Sequence, residues 1–120
     1  DRALRGNSTE VLMTEQDDII AALYRVILER KANPGEKSYT ASLYAKGLDK
    51  VLGKLGEEAT ELAVAGKGGE RREIISEASD VIYHMLVLLG YYEIAPDEIY
   101  AELRRRFWMS WIEDKESRTS

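Results

Sequence analysis

No cysteine occurs in this chain, and there is only one histidine, His84. The first absence removes a disulfide framework, a thiolate zinc site, an iron–sulfur cluster and a cysteine nucleophile together. The second removes any multi-histidine metal site, leaving oxygen ligands as the means of holding a cation. Strand signals are equally scarce, since no stretch alternates apolar and polar residues between turn dipeptides. The longest nearly uncharged apolar run, 81–92, is too short to span a bilayer and contains His84 and Gly90. An excess of basic charge is also missing. Against 17 Lys and Arg stand 22 Asp and Glu, a net of −5. That balance argues against nucleic acid as a partner, because phosphate neutralisation needs a basic face.

What remains is enough for one domain. At 120 residues and 44% hydrophobic content the chain can build a single core, and at this size oligomerisation would add to its stability. Residues 1–13 (DRALRGNSTEVLM) lack a sustained apolar stretch and read as a mobile leader, with one domain over 14–120. With no targeting or membrane segment recognised, the expected location is cytoplasmic.

Helical periodicity dominates. Thr14 and Asp17 resemble a capping box, and Ile19, Ile20, Leu23, Ile27 and Leu28 make one apolar face, so a first helix is expected over 15–31. Asn33-Pro34-Gly35 ends it. A second helix is expected over 41–65, with Leu48, Val51, Leu55, Leu62 and Ala65 in register and Gly53 and Gly56 weakening it slightly. Gly66-Lys67-Gly68-Gly69 reads as a flexible break before a third helix over 70–91. Ala95-Pro96-Asp97-Glu98 opens a fourth over 96–107. After Asp80 the third helix is apolar all the way round and needs cover on every side. Four helices in a small chain leave part of it bare. The expected fold is therefore all-α, a bundle of four main helices whose core is completed by homodimerisation. Trp108 and Trp111 are expected to pack on the bundle or on the dimer partner.

The negative charge is concentrated. Between 57 and 80 lie seven acids and three bases, net −4, while the other 96 residues carry 15 acids and 14 bases, net −1. On a helical wheel with Glu58 at zero, Val51, Leu55, Leu62 and Ala65 fall at about +20°, +60°, +40° and −20°, which places Glu58 inside the apolar stripe. Glu61 falls at about −60° and Glu57 at about −100°, progressively nearer the rim. With Glu77 at zero, Val81, Leu88 and Ile74 lie between about +20° and +60°, Asp80 at about −60° and His84 at about −20°. Two helices thus carry carboxylate pairs at i, i+3, and the glycines between them allow an antiparallel return. An ionised carboxylate in an apolar stripe costs several kcal/mol unless it is protonated, paired or metal-bound. Four converging carboxylates suit a hard cation, Mg²⁺ or Mn²⁺, which commonly bridges protein carboxylates to substrate phosphates. Solvated acidic faces with i, i+4 pairs such as Lys54 with Glu58 are the competing reading, and the repeated spacing inside the stripes weighs against it. Lys46, Lys50 and Lys54 recur every four residues beside Glu61 and could hold phosphate oxygens. His84, one turn after Asp80, reads either as a hydrogen-bonded core residue or as a ligand contact.

Glu57-Glu58-Ala59-Thr60-Glu61 followed by Glu77-Ala78-Ser79-Asp80 resembles the EExxE and ExxD signature of the all-α nucleoside-triphosphate pyrophosphohydrolases, the MazG-like superfamily. Within it, Ser38-Tyr39-Thr40-Ala41-Ser42-Leu43, Lys54-Leu55-Gly56-Glu57-Glu58-Ala59 and Asp80-Val81-Ile82-Tyr83-His84 are similar to blocks of the phosphoribosyl-ATP pyrophosphohydrolase family, over about 17–106. The resemblance implies Mg²⁺-dependent hydrolysis of phosphoribosyl-ATP to phosphoribosyl-AMP and pyrophosphate in histidine biosynthesis, by a homodimer or larger assembly. It also implies Glu58, Glu61, Glu77 and Asp80 as metal ligands. Glu57 would have a water-orienting role, with Ser38, Tyr39, Thr40, Lys50, Lys54 and His84 near the substrate. A related enzyme acting on dUTP, dCTP or a damaged nucleotide, and a helical interaction module without activity, are the alternatives.

Overall fold

The computed structural model describes residues 18–119, so the leader and the Thr14–Asp17 capping box lie outside the described residues. Five helices and no strand are found among them: α1 (Ile19–Ala32), α2 (Tyr39–Lys46), α3 (Leu48–Gly68), α4 (Arg71–Tyr91) and α5 (Pro96–Thr119). The all-α expectation holds, but the number of helices is five.

Asp18 caps α1, its Oδ1 accepting from the Ala21 amide at 3.1 Å and from the Tyr100 hydroxyl on α5 at 3.1 Å. The expected single helix over 41–65 is in fact two. Ser38 starts α2 by accepting from the Ala41 amide, and Gly47 stops it at φ +99°, a conformation that costs glycine little. The Gly47 amide donates back to Leu43 and Tyr44, while its carbonyl accepts from Lys50 and Val51. One residue thus ends one helix and begins the next at a new angle. The expected break over 66–69 is also narrower than its composition suggests. Helix α3 runs through Gly66, Lys67 and Gly68, and only Gly69, at φ +80°, turns the chain, its amide donating to Ala65 at 3.0 Å. Glu70 then caps α4 by accepting from the Arg72 and Glu73 amides. At the other end, α5 continues through the two tryptophans to Thr119 instead of stopping at 107.

The core gathers Tyr24 and Ile27 of α1, Leu43 of α2, Val51 of α3 and Leu86 and Val87 of α4. Tyr44 donates to the Val87 carbonyl at 2.7 Å, and burial pushes its phenol well above the ordinary tyrosine range. Gly90 makes this approach possible, since a Cβ there would collide with the Tyr44 hydroxyl. Lys31 closes the end of α4 by donating to the Gly90 carbonyl at 2.8 Å and to the Tyr91 carbonyl at 3.3 Å. Length and composition alone would let α4 cross a membrane. Here it is the central helix of the fold.

Candidate functional site

Antiparallel return about Gly69 sets the register of α3 and α4. Glu58 and Asp80 each lie eleven residues from Gly69, and Glu61 and Glu77 each lie eight. The carboxylates that share a helix face in each partner are thereby brought level with those on the other. Glu58 of α3 and Glu77 and Asp80 of α4 each offer a carboxylate oxygen, and these oxygens lie within 4.8 Å of one another. Glu58 is only 8% exposed, as its place in the apolar stripe requires. Its charge is matched on one side by the Lys54 ammonium at 3.6 Å, one turn earlier.

The cluster is short of positive charge elsewhere. Oε2 of Glu77 is buried without any hydrogen-bond partner, an arrangement that normally costs a few kcal/mol. Glu61 is exposed beside it. Its carboxyl is held above the ordinary range, first by a hydrogen bond shared with Glu58 and then by the charges of Glu58 and Glu77. The proximity of these like charges favours the protonated form of Glu61, and a cation at the site would relieve it. An unpartnered buried oxygen, three converging carboxylates and an all-oxygen donor set fit a hard divalent cation. Below the cluster, Thr60, Glu61, Val64, Ala65, Gly68, Glu73 and Glu77 line an open groove of about 520 Å³.

The helical family described as phosphoribosyl-ATP pyrophosphohydrolase matches residues 20–107. Similarity to individual proteins is high. The chain is 72% identical to the phosphoribosyl-ATP pyrophosphatase of Geotalea daltonii over 102 residues, 85% of this chain and 96% of that protein. It is 63% identical to the protein of that name from Geobacter metallireducens, covering 88% of this chain and 97% of the relative. The Geobacter sulfurreducens protein of the same name is 58% identical over 88% and 98%. This chain belongs to the phosphoribosyl-ATP pyrophosphohydrolase family. It is accordingly a hydrolase whose family chemistry is cleavage of a pyrophosphate bond.

The other residues expected at the site of this family member separate into groups. Glu57 is exposed and ion-paired with Lys54 at 3.7 Å, at the rim and outside the cluster. Lys54 therefore faces Glu57 and Glu58 instead of Glu61. Its ammonium is held above the ordinary lysine range, first by the Tyr39 oxygen and, against the opposing effect of burial, by Glu57 and Glu58. Lys50 is exposed on α3, and Lys46 belongs to α2 beyond the Gly47 break, so the three lysines do not form one ladder.

Tyr39 and His84 come together across 45 residues. The imidazole Nδ1 lies 2.8 Å from the Asp80 carbonyl, which can only accept, so Nδ1 carries a proton. Nε2 lies 3.0 Å from the Tyr39 hydroxyl. His84 is buried, whereas the Tyr39 ring is 48% exposed beside the acidic cluster, so of the two it is Tyr39 that can meet a ligand. Burial is the main influence raising the Tyr39 phenol above its ordinary range. Ser38 and Thr40 are already engaged. Ser38 caps α2, and the buried Thr40 hydroxyl bonds that of Tyr83. Sequence reasoning missed Tyr83, whose partner is 43 residues away and leaves no local signal. It also missed Glu73 in the groove, although a position four residues before Glu77, about −40° on the wheel, could have pointed to it.

Proposed function

We propose that this chain hydrolyses phosphoribosyl-ATP to phosphoribosyl-AMP and pyrophosphate, the second step of histidine biosynthesis, using Mg²⁺ or alternatively Mn²⁺. The observation that carries the reading is the unpartnered buried oxygen of Glu77 among the carboxylates of Glu58 and Asp80, in a chain of this family. Glu58, Glu77 and Asp80 would hold the cation, with Glu61 beside them as a fourth carboxylate within reach. When bound, Mg²⁺ supplies Lewis-acid polarisation of the phosphates and lowers the pKa of water.

The protein's own groups do the rest. A water molecule adds to phosphorus as the bond to the pyrophosphate oxygen breaks, and its proton passes to a rim carboxylate, with Glu57, outside the ligand set, as the acceptor. Lys54 stays cationic beside Glu57 and Glu58 and offsets charge on the departing pyrophosphate. Tyr39, held by His84, offers an exposed ring and hydroxyl to the nucleotide, and Lys50 adds positive charge at the rim. Ser38 and Thr40 act indirectly, by holding α2 so that Tyr39 faces the site. The protein acts in the cytoplasm as a homodimer. The exposed Ile75, Ile82 and Met85 on α4 support this assembly, because they leave one stripe of a core helix bare.

The test is pyrophosphate release from phosphoribosyl-ATP by the purified protein, with and without Mg²⁺, beside ATP, dUTP and dCTP. Mg²⁺-dependent release from phosphoribosyl-ATP in strong preference to the others is expected. No release with Mg²⁺ present overturns the reading, and preference for dUTP or dCTP moves the protein to the related activity.

A further inference from the structure

The family match ends at Phe107, but α5 continues for about three more turns to Thr119. Among the described residues the outer part of this helix stays exposed, with the Lys115 ammonium 4.9 Å from the Trp111 ring centroid. Leu103, Phe107, Trp108, Trp111 and Ile112 are 57, 59, 57, 46 and 40% exposed. The Phe107 and Trp111 rings lie nearly parallel, centroids 6.1 Å apart and planes 10° apart, with Trp108 edge-on to both. Five large apolar side chains within ten residues form one contiguous patch, which isolated proteins rarely leave to water.

Their spacing and charges indicate what covers them. Arg104, Phe107, Trp111 and Asp114 are separated by three, four and three residues, the rhythm of a two-stranded helical seam. Met109 is the midpoint of both the 107/111 pair and the 104/114 pair. An antiparallel second copy centred there sets Phe107 against Trp111 and Arg104 against Asp114, each twice by the two-fold axis. A parallel copy would instead place Arg104 on Arg104 and Asp114 on Asp114, which is repulsive. Arg104 makes no ion pair among the described residues.

We propose that two copies of this chain pair antiparallel through the outer half of α5, with Phe107 of each packed against Trp111 of the other. The contact is separate from the exposed stripe on α4, so it adds to any dimer formed there.

Because the chain has no cysteine, Ser110→Cys introduces a single thiol next to the two-fold axis. Oxidation is expected to convert most of that variant to a covalent dimer, while a Lys67→Cys control stays monomeric on a non-reducing gel. Light scattering on Phe107→Asp/Trp111→Asp is expected to show half the wild-type mass, whether or not α4 makes its own contact. Failure here is therefore distinct from failure of the dimer proposed above. Should that double variant fail to fold, Arg104→Asp is expected to weaken the assembly and added Asp114→Arg to restore it. Unchanged mass in the folded variants, or Ser110→Cys cross-linking no better than the control, overturns the proposal, including the cases in which a different protein covers the patch or nothing does.

Discussion

Along α4, residues 71–80 and 81–91 differ in what surrounds them. The second half meets α1, α2 and α3, burying Leu86, Val87 and Gly90 against Ile27, Leu43, Tyr44 and Val51. Every residue of the first half is exposed or only partly buried, and it faces α3 across a groove lined by carboxylates. One helix therefore carries both the fold and the site, divided at Asp80. Where three helices converge, apolar burial determines the choice of residue, and stability follows. Where only two helices meet, water and ligands have access, and the same positions on the wheel can carry Glu77 and Asp80. The unfavourable charge is placed where the core is thinnest.

Glu77→Gln should separate the two halves most sharply. Activity is expected to fall about 1,000-fold, equivalent to roughly 4 kcal/mol in the barrier, with the metal-free fold as stable as before or more so. Kinetics of pyrophosphate release and thermal melting on the same samples check both parts. The melting temperature of the parent chain should rise with Mg²⁺, by about 2.7 kcal/mol of stability at 100 times the dissociation constant, and that rise should vanish in the variant. A loss of activity accompanied by an equal loss of stability would mean the halves are not separable.

Leu86→Ala should do the reverse. Its side chain is 1% exposed, and truncation there is expected to cost about 3 kcal/mol and lower the melting temperature by roughly 10–20 °C. The rate per folded molecule, measured well below the transition, should not change. Gly90→Ala follows at about 2 kcal/mol, since a methyl would collide with the Tyr44 hydroxyl and lie 3.3 Å from Ile27 Cγ2. That strain outweighs the gain in helix propensity of up to about 1 kcal/mol. Combining it with Tyr44→Phe should cost less than the sum of the two changes, because the hydroxyl that blocks the methyl is gone.

The division within α4 was legible in the sequence to different depths. Glu58 inside an apolar stripe, and the repetition of its spacing at Glu77 and Asp80, pointed to the cluster that the fold brings together. Period and composition carry that much. Gly47 did not stand out, because a helix break by one glycine with positive φ depends on where the flanking helices must pack, while Gly53 and Gly56 sit inside α3 unharmed. The run over 66–69 erred in the opposite direction, since tertiary packing of α3 on α4 holds Gly66 and Gly68 helical despite their low propensity. Tyr39 with His84, and Thr40 with Tyr83, join positions more than 40 residues apart, and no local pattern encodes such pairs. The engagement of Ser38 and Thr40 follows from the same contacts.

The smallest effect expected belongs to Glu61, and it tests whether the acidic half is strained without a cation. A carboxyl whose folded pKa lies above its ordinary 4.5 binds its proton more tightly in the folded protein than in the unfolded chain. The stability this contributes is fully present below 4.5 and is lost as pH rises through the folded value. At neutral pH without metal, Glu61→Gln should therefore raise the melting temperature slightly, because the amide retains a hydrogen bond to Glu58 and removes a charge facing Glu58 and Glu77. Below pH 4 the gain should disappear, since the parent side chain is then protonated as well. With saturating Mg²⁺ the sign should invert, as the carboxylate then serves as a ligand and the amide cannot replace its charge. A melting temperature indifferent to pH and metal in both proteins would mean that Glu61 takes no part with Glu58, Glu77 and Asp80.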